Sequence, residues 1–218
     1  MKQKLETNLQ KTIKTGKIVD TSLPLCPAIS LYLLTDDYPT GKLEHDEMLA
    51  IMNAPAYWAF CWASGQVLGQ YILDHKSEFT NKRVLDFGSG SGVVAIAAAM
   101  AGASQVIACD NDPHALDACA GNAKLNGVSL TLISDLADLN EPLDMIIAAD
   151  VLYDRDNLPW LDILPTLADE VIIADSRIKN IELYGFKTIN RITATTIPDL
   201  DEFREFSDVK VYRSLSRR

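Results

Sequence analysis

The chain has 218 residues, 48% hydrophobic and 23% charged, with 11 glycines and 9 prolines; that composition excludes collagen-like, disordered and coiled-coil classes. A chain of this length buries a core of its own without disulfide or metal staples. The formal charge is −10, although the first twenty residues carry five lysines against Glu6 and Asp20, so the remaining body is acidic enough to argue against non-specific nucleic-acid or anionic-membrane binding while tolerating a cationic substrate.

Residues 1–54 read as an N-terminal extension. The lysine- and threonine-containing first twenty residues show no core-like periodicity, which predicts a mobile tail, and they lack the apolar stretch of a signal peptide. AISLYLL (28–34) predicts a short strand, DDYPTG (36–41) a turn, and DEMLAIMN (46–53) one or two helical turns. Pro24, Pro27 and Pro39 break any longer element.

From Ser64 onward the periodicity is regular. Val67, Leu68, Tyr71 and Ile72 recur at helical spacing, with Ser64 placed to cap that helix. RVLDFG (83–88) is a strand, followed by a glycine-rich turn at 88–92, an alanine-rich helix (94–101) and the strand QVIACD (105–110). Pro113 opens a helix that Asn126-Gly127 ends. Strands follow at 128–133, 143–149 and 170–174, with a helical stretch around 157–168 and two closing strands at 186–195 and 207–213. Strands alternating with helices predict one α/β domain over 55–218 with a largely parallel sheet and an antiparallel C-terminal edge.

No apolar run approaches the roughly 18 residues of a membrane span. Cys26, Cys61, Cys109 and Cys119 have no CxxC pairing and no histidine partners at metal-ligand spacing, so free thiols in a reducing compartment are expected, hence a cytoplasmic protein with no metal. His45, His75 and His114 are scattered and form no triad.

The chemistry concentrates in VLDFGSGSG (84–92). Gly88, Ser89, Gly90 and Gly92 lie between a strand and a helix, where backbone approaches a ligand closely and helix N-terminal amides face it. The spacing is GxGxG, not the GxGxxG of dinucleotide binders. Asp86, two residues before Gly88, would repel a pyrophosphate but suits an ammonium group. Asp110 ends the next strand, where a carboxylate accepts ribose hydroxyls. Together these features fit S-adenosylmethionine, with Asp86 near the methionyl amine and Asp110 on the ribose. Asp135, after the third strand, is a further candidate for the adenine amino group, and Asp175-Ser176-Arg177 for the substrate side.

At this point residues 55–213 resemble class I, seven-strand S-adenosylmethionine-dependent methyltransferases, which implies a Rossmann-like sheet of six parallel strands with the seventh inserted antiparallel and helices on both faces. Within that class AADVLYD (148–154), with Asp150 and Tyr153, looks like the Asp-x-x-Tyr motif of protein lysine methyltransferases; Asn-Pro-Pro-Tyr and Asp-Pro-Pro-Tyr are absent. PAYWAFCWASGQVLGQYIL (55–73) is similar to methyltransferase family 16. The combination of Trp58, Trp62, Gly65-Gln66, the glycine loop and Asp150-x-x-Tyr153 most resembles the electron transfer flavoprotein β-subunit lysine methyltransferases. The resemblance implies that Trp62 flanks the cofactor, that Asp150 and Tyr153 serve the methyl acceptor, and that the partner is a protein, the flavoprotein β-subunit, rather than nucleic acid or membrane. By spacing alone, Trp58 and Trp62 lie four apart and equally fit one packed helical face. A small-molecule, nicotinamide-like N-methyltransferase and a non-catalytic methyltransferase-like binding subunit are the competing readings.

Overall fold

The computed structural model describes residues 1–38, 41, 44–178 and 181–215. Pro39 and Thr40 of the predicted turn lie outside them. Leu5 and Leu9, four residues apart, turn one face of the first helix, α1 (Lys2–Leu9), inward. Both are buried against Trp58, Ala115 and Ala118. Lys4 pairs with Asp117 at 2.6 Å, and the Asn8 amide donates to the same carboxylate at 3.0 Å. The expected mobile tail is therefore corrected: a short apolar stripe becomes a packed helix because its partner surface lies about a hundred residues away in sequence.

Strands β1 (Ile18–Ser22) and β2 (Ser30–Leu34) form an antiparallel hairpin with Ile18 opposite Leu34. The outer edge of β2 is paired by side chains: the amides of Tyr32 and Ser30 donate to the Asn122 and Asn126 carbonyl oxygens at 2.7 and 3.0 Å. This satisfies backbone groups that would otherwise be an unpaired edge. Helix α2 (His45–Asn53) follows. Then come α3 (Ala63–Asp74) and α4 (Lys76–Phe79), which lead into the main sheet.

That sheet contains β3 (Arg83–Phe87), β4 (Gln105–Cys109), β5 (Thr131–Ile133), β6 (Leu143–Ala149), β7 (Ala168–Asp175), β8 (Phe186–Thr193) and β9 (Asp208–Ser214). Its order is β5-β4-β3-β6-β7-β9-β8. β9 runs antiparallel between β7 and β8, and the other pairings are parallel. The expected seven-strand, mostly parallel sheet with an antiparallel C-terminal strand is what forms. Side chains alternate across it. Val84, Val106, Met145, Ile147 and Ile172 pack with α3 and with α5 (Val93–Met100). Leu85, Ile107, Ile146, Val171 and Ile173 pack with Leu161, Leu164 and Phe186 on the other face. Burial on both faces explains why these strands read as continuous apolar runs.

Two predicted elements differ. The strand expected at 128–133 shortens to β5. The helical stretch at 157–168 breaks into a 3₁₀ turn (Arg155–Asn157), the single-turn α7 (Trp160–Ile163) and a second 3₁₀ turn (Leu164–Thr166). Pro159 and Pro165 each remove an amide that a continuous helix needs. Helix α6 (Pro113–Leu125) begins and ends where the sequence predicts, capped by the Asp112 carboxylate on the His114 amide at 2.8 Å.

In this order the chain reverses direction across the sheet between β3 and β6. The carboxyl ends of β3, β4, β6 and β7 therefore open on one crevice, the usual ligand position in doubly wound sheets.

Candidate active site

The glycine loop leaves β3 through three left-handed residues, Gly88, Gly90 and Gly92, with φ of 70°, 51° and 81°. Two of them show why glycine is required. A Cβ on Gly88 would lie 2.6 Å from Val151 Cγ1, so the loop after β6 packs directly on this backbone. Gly90 has open space where a Cβ would be and lines the cavity, leaving its backbone bare to a ligand. The amides of Gly88 and Ser89 both donate to the Cys109 carbonyl, at 2.9 and 3.1 Å, tying the loop to β4.

Asp110 closes this side. One carboxylate oxygen accepts from the Gly90 amide at 2.8 Å and the other from the Asp112 amide at 3.0 Å. Each oxygen keeps a second lone pair, which leaves room for ribose hydroxyls. Burial raises its pKa above the ordinary aspartate value, and the two amides oppose that shift. Asp135 is exposed at the cavity rim beyond β5, its carboxylate accepting from the Ala137 amide at 2.9 Å.

Asp86 is not among the residues that line the cavity. It is buried beneath the loop, with one oxygen accepting from the Ala95 amide at 3.0 Å in the first turn of α5. The other oxygen has no partner, and burial pushes the group up to about 7. Being in the middle of a strand end whose outward face is taken by Phe87, its side chain supports the loop from below. Ser89 is buried, within reach of Cys119 Sγ at 3.4 Å, and Gly92 abuts Cys119. Those three shape the loop from behind; Trp62, Gly88, Gly90, Asp110, Asp135, Asp150 and Tyr153 line the cavity itself.

On the opposite side Asp150 follows β6 with φ of 53°, one of three described non-glycine residues at positive φ. Its amide donates to the Ala174 carbonyl at 3.1 Å. Its carboxylate accepts from the Ser64 hydroxyl at 2.6 Å and the Ser64 amide at 3.0 Å. Contrary to the sequence expectation, Ser64 does not cap α3; Trp62 occupies the N-cap position, and Asp150 satisfies a first-turn amide from across the cavity. Burial, aided by the nearby charge of Asp175, pushes Asp150 up to about 7, with Ser64 and Arg177 opposing. The turn is braced further where Asn157 Nδ2 donates to the Val151 carbonyl at 2.8 Å.

This turn delivers Tyr153 into an aromatic cluster. Its ring lies 5.4 Å from that of Tyr57, which lies 5.7 Å from Trp62, and Trp62 Nε1 donates to the Tyr57 carbonyl at 3.0 Å. Trp58 is buried in the core beside α1. The two tryptophans do not share a helical face, because the chain leaves a 3₁₀ turn at Tyr57–Ala59 and runs extended through Phe60. Tyr57 and the Phe87–Trp160 pair at 4.8 Å also shape the cavity, and the sequence reading missed them. Tyr57 neighbours the tryptophan that was noticed, but only exposure separates the two. Arg177 also lines the cavity, held by Glu202 at 2.5 Å and stacked over Phe206.

The cavity has a volume of about 1120 Å³, beyond the upper end of a small-ligand pocket. Its carboxylates, open glycine backbone and aromatic wall fit a ligand with hydroxyls and positive charge, and room remains for a second reactant. Lys11 and Arg177 are the lysine and the arginine among the described lining residues.

The model of the ribosomal protein L11 methyltransferase family (PrmA) matches residues 67–155. Electron transfer flavoprotein beta subunit lysine methyltransferase of Mus musculus is 38% identical over 155 residues, covering 70% of this chain and 60% of the relative. The Danio rerio protein of the same name is 32% identical over 205 residues, covering 89% of this chain and 78% of the relative. The chain thus spans about 60% of the length of the mouse relative. Among solved structures, magnesium protoporphyrin IX methyltransferase from Synechocystis PCC 6803 with bound SAM superposes with a TM-score of 0.54 at 20% identity, covering 81% of this chain and 86% of that one. Ribosomal protein L11 methylase from Lactobacillus delbrueckii subsp. bulgaricus superposes with a TM-score of 0.52 at 23% identity, covering 69% and 77%. These structural likenesses concern the fold.

Proposed function

We propose, from the premise that the chain belongs to the electron transfer flavoprotein beta subunit lysine methyltransferase family, that it methylates a lysine side chain of a protein using S-adenosylmethionine, and that the protein is the electron transfer flavoprotein β-subunit. The observation that carries this reading is the pairing of a bare glycine loop closed by Asp110 with an aromatic wall held by Asp150, both opening on one cavity.

Gly88, Gly90 and Asp110 would hold the cofactor's methionyl and ribose parts, Asp135 would meet the adenine, and Trp62 would flank the cofactor. When bound, S-adenosylmethionine supplies a methyl group on a sulfonium. The chain's own residues do the rest. Methyl transfer to an amine is an in-line displacement, so the main contribution of the protein is positioning. The acceptor must be neutral, and deprotonating a lysine at pH 7 costs roughly 4–5 kcal/mol from a reference value near 10.4. Tyr57, Trp62 and Tyr153 form an apolar channel that lowers this cost by disfavouring the ammonium form, while their ring faces still admit a cation on entry.

Asp150 spends its hydrogen bonds on Ser64, so its part is to hold the 150–153 turn and to draw the incoming cation, rather than to take the proton. With the cofactor bound, a nitrogen–methyl bond would replace the sulfur–methyl bond, and the amine's proton would leave to water. Among the described residues no helix is long and apolar enough to cross a membrane. The four cysteines are free and buried, which supports a reducing compartment, the cytoplasm.

The test is transfer of labelled methyl groups from S-adenosylmethionine to host lysate and to purified electron transfer flavoprotein, with wild type and Asp150→Ala in parallel. Label in the β-subunit that the variant loses supports the reading. Label confined to the small-molecule fraction replaces the protein acceptor by a small amine. Cofactor binding without label anywhere moves the chain to a binding role.

A further inference from the structure

Helix α2 turns its apolar side chains the wrong way for a packed helix. The one residue it buries among those described is Glu47, whose carboxylate accepts from the Lys14 amide at 2.9 Å. Met52 is 72% exposed, Met48 44% and Leu49 41%. Met48 and Met52 are four residues apart with Leu49 beside them, so they form a single stripe. A surface helix ordinarily faces such a stripe to the core, and a contiguous exposed patch of this kind marks an interaction site. Methionine suits one, because its flexible thioether adapts to a partner's shape.

Where this stripe lies identifies what covers it. Ala50 and Asn53 of the same helix line the cavity, together with Tyr57 and Tyr153, which are themselves 43% and 54% exposed. The stripe therefore adjoins the cavity mouth, since Asn53, which lines it, lies one turn on from Leu49. Four exposed acids border it, Glu44 and Asp46 at the start of α2 and Asp154 and Asp156 after Tyr153, against Arg155 and His45 in the same segments and, on the α1 side, the exposed Lys11 and Lys14. On a chain of charge −10, this border complements a positively charged partner and disfavours an acidic one.

We infer that α2, Tyr57 and Tyr153 form the docking surface for the protein substrate. The substrate presents the reacting lysine on a loop with further basic residues and seats an apolar side chain against Met48, Leu49 and Met52. This rests on the lysine methyltransferase reading and adds to it where the acceptor is gripped, outside the reacting centre.

The experiment measures KM and kcat for purified electron transfer flavoprotein, and the dissociation constant of S-adenosylmethionine, in the full-length chain and two variants. Met48→Gln with Met52→Gln keeps helix propensity and removes the apolar stripe. Asp46→Lys with Asp156→Lys reverses the border. Each is expected to raise KM at least tenfold, with kcat and cofactor affinity within twofold, and the charge variant is expected to lose the wild type's rise of KM with salt. If wild type methylates the flavoprotein and both variants keep its KM, the docking surface is overturned while the methyltransferase reading stands. If wild type binds cofactor but labels no protein, both fall. A wild-type dimer that becomes a monomer in the methionine variant, with KM unchanged, assigns the face to a second copy of this chain and overturns the proposal.

Discussion

Along the β3–β4 side of the cavity, the loop is closed by hydrogen bonds between residues close in the fold's first unit: Gly90 donates to Asp110, 20 residues on, and Asp110 accepts again from Asp112. Across the cavity, the wall of Tyr57, Trp62 and Tyr153 depends on Ser64 meeting Asp150 across 86 residues of chain. The glycine-loop side is mostly backbone, with conformation set by glycines at positive φ. The aromatic side is mostly side chains, partly exposed and joined by edge-on ring contacts. A wall built from backbone tolerates change in its neighbours; one built from side chains of distant segments is lost when a single brace is removed.

The sharpest way to break the contrast is Asp150→Ala. It leaves the Ser64 amide and hydroxyl without their acceptor and frees the turn that carries Tyr153. Single-turnover methyl transfer is expected to fall on the order of 10²-fold, the scale of a misplacement of about 1 Å, with the cofactor dissociation constant within about threefold. Wild-type turnover in this variant would reduce Asp150 to a helix brace. Asp150→Asn, which keeps an acceptor for the Ser64 amide, is expected to recover part of the loss.

Asp110→Ala acts on the other wall. Losing charge-assisted bonds to a ribose costs about 1.5–3 kcal/mol, so titration calorimetry is expected to find cofactor binding roughly 10- to 150-fold weaker, with kcat at saturation little changed. Unaltered affinity removes Asp110 from the site.

Gly88→Ala joins the two walls, since the new Cβ meets both an unfavourable φ and Val151. Denaturant unfolding is expected to show a loss of about 1–3 kcal/mol. Adding Val151→Ala removes the steric part and leaves the backbone part, so the double variant is less destabilised than the sum of the singles.

The smallest effect concerns pH. Asp86 and Asp150 are both pushed up to about 7, chiefly by burial. Between their ordinary value near 4 and that raised value, the folded chain holds protons that the unfolded chain has lost. Stability is therefore lost as pH rises through this window and levels above about 7. Denaturant unfolding between pH 5 and 8 measures this slope, and stability that is flat across that range would show that neither acid keeps its proton in the folded chain.

Short apolar runs and helical patterning, read from the residues alone, located β3, β4, β6, β7 and α6 and the glycine loop between β3 and α5, because each depends on neighbours a few residues apart. Asp110 and the Asp-x-x-Tyr turn were legible for the same reason: a strand end and its following turn are local features, and their shared edge follows from parallel topology. Contacts between distant segments were not legible. The packing of Leu5 and Leu9 on α6, the placement of Asp86 beneath its loop, the separation of Trp58 in the core from Trp62 at the cavity, and the bond from Ser64 to Asp150 all depend on which surfaces the folded chain brings together. Sequence pattern states how a segment prefers to curl and which face it would bury. The partner that covers that face, or leaves it open as on α2, is chosen only when the sheet closes and the loops at its carboxyl edge compete for the same space.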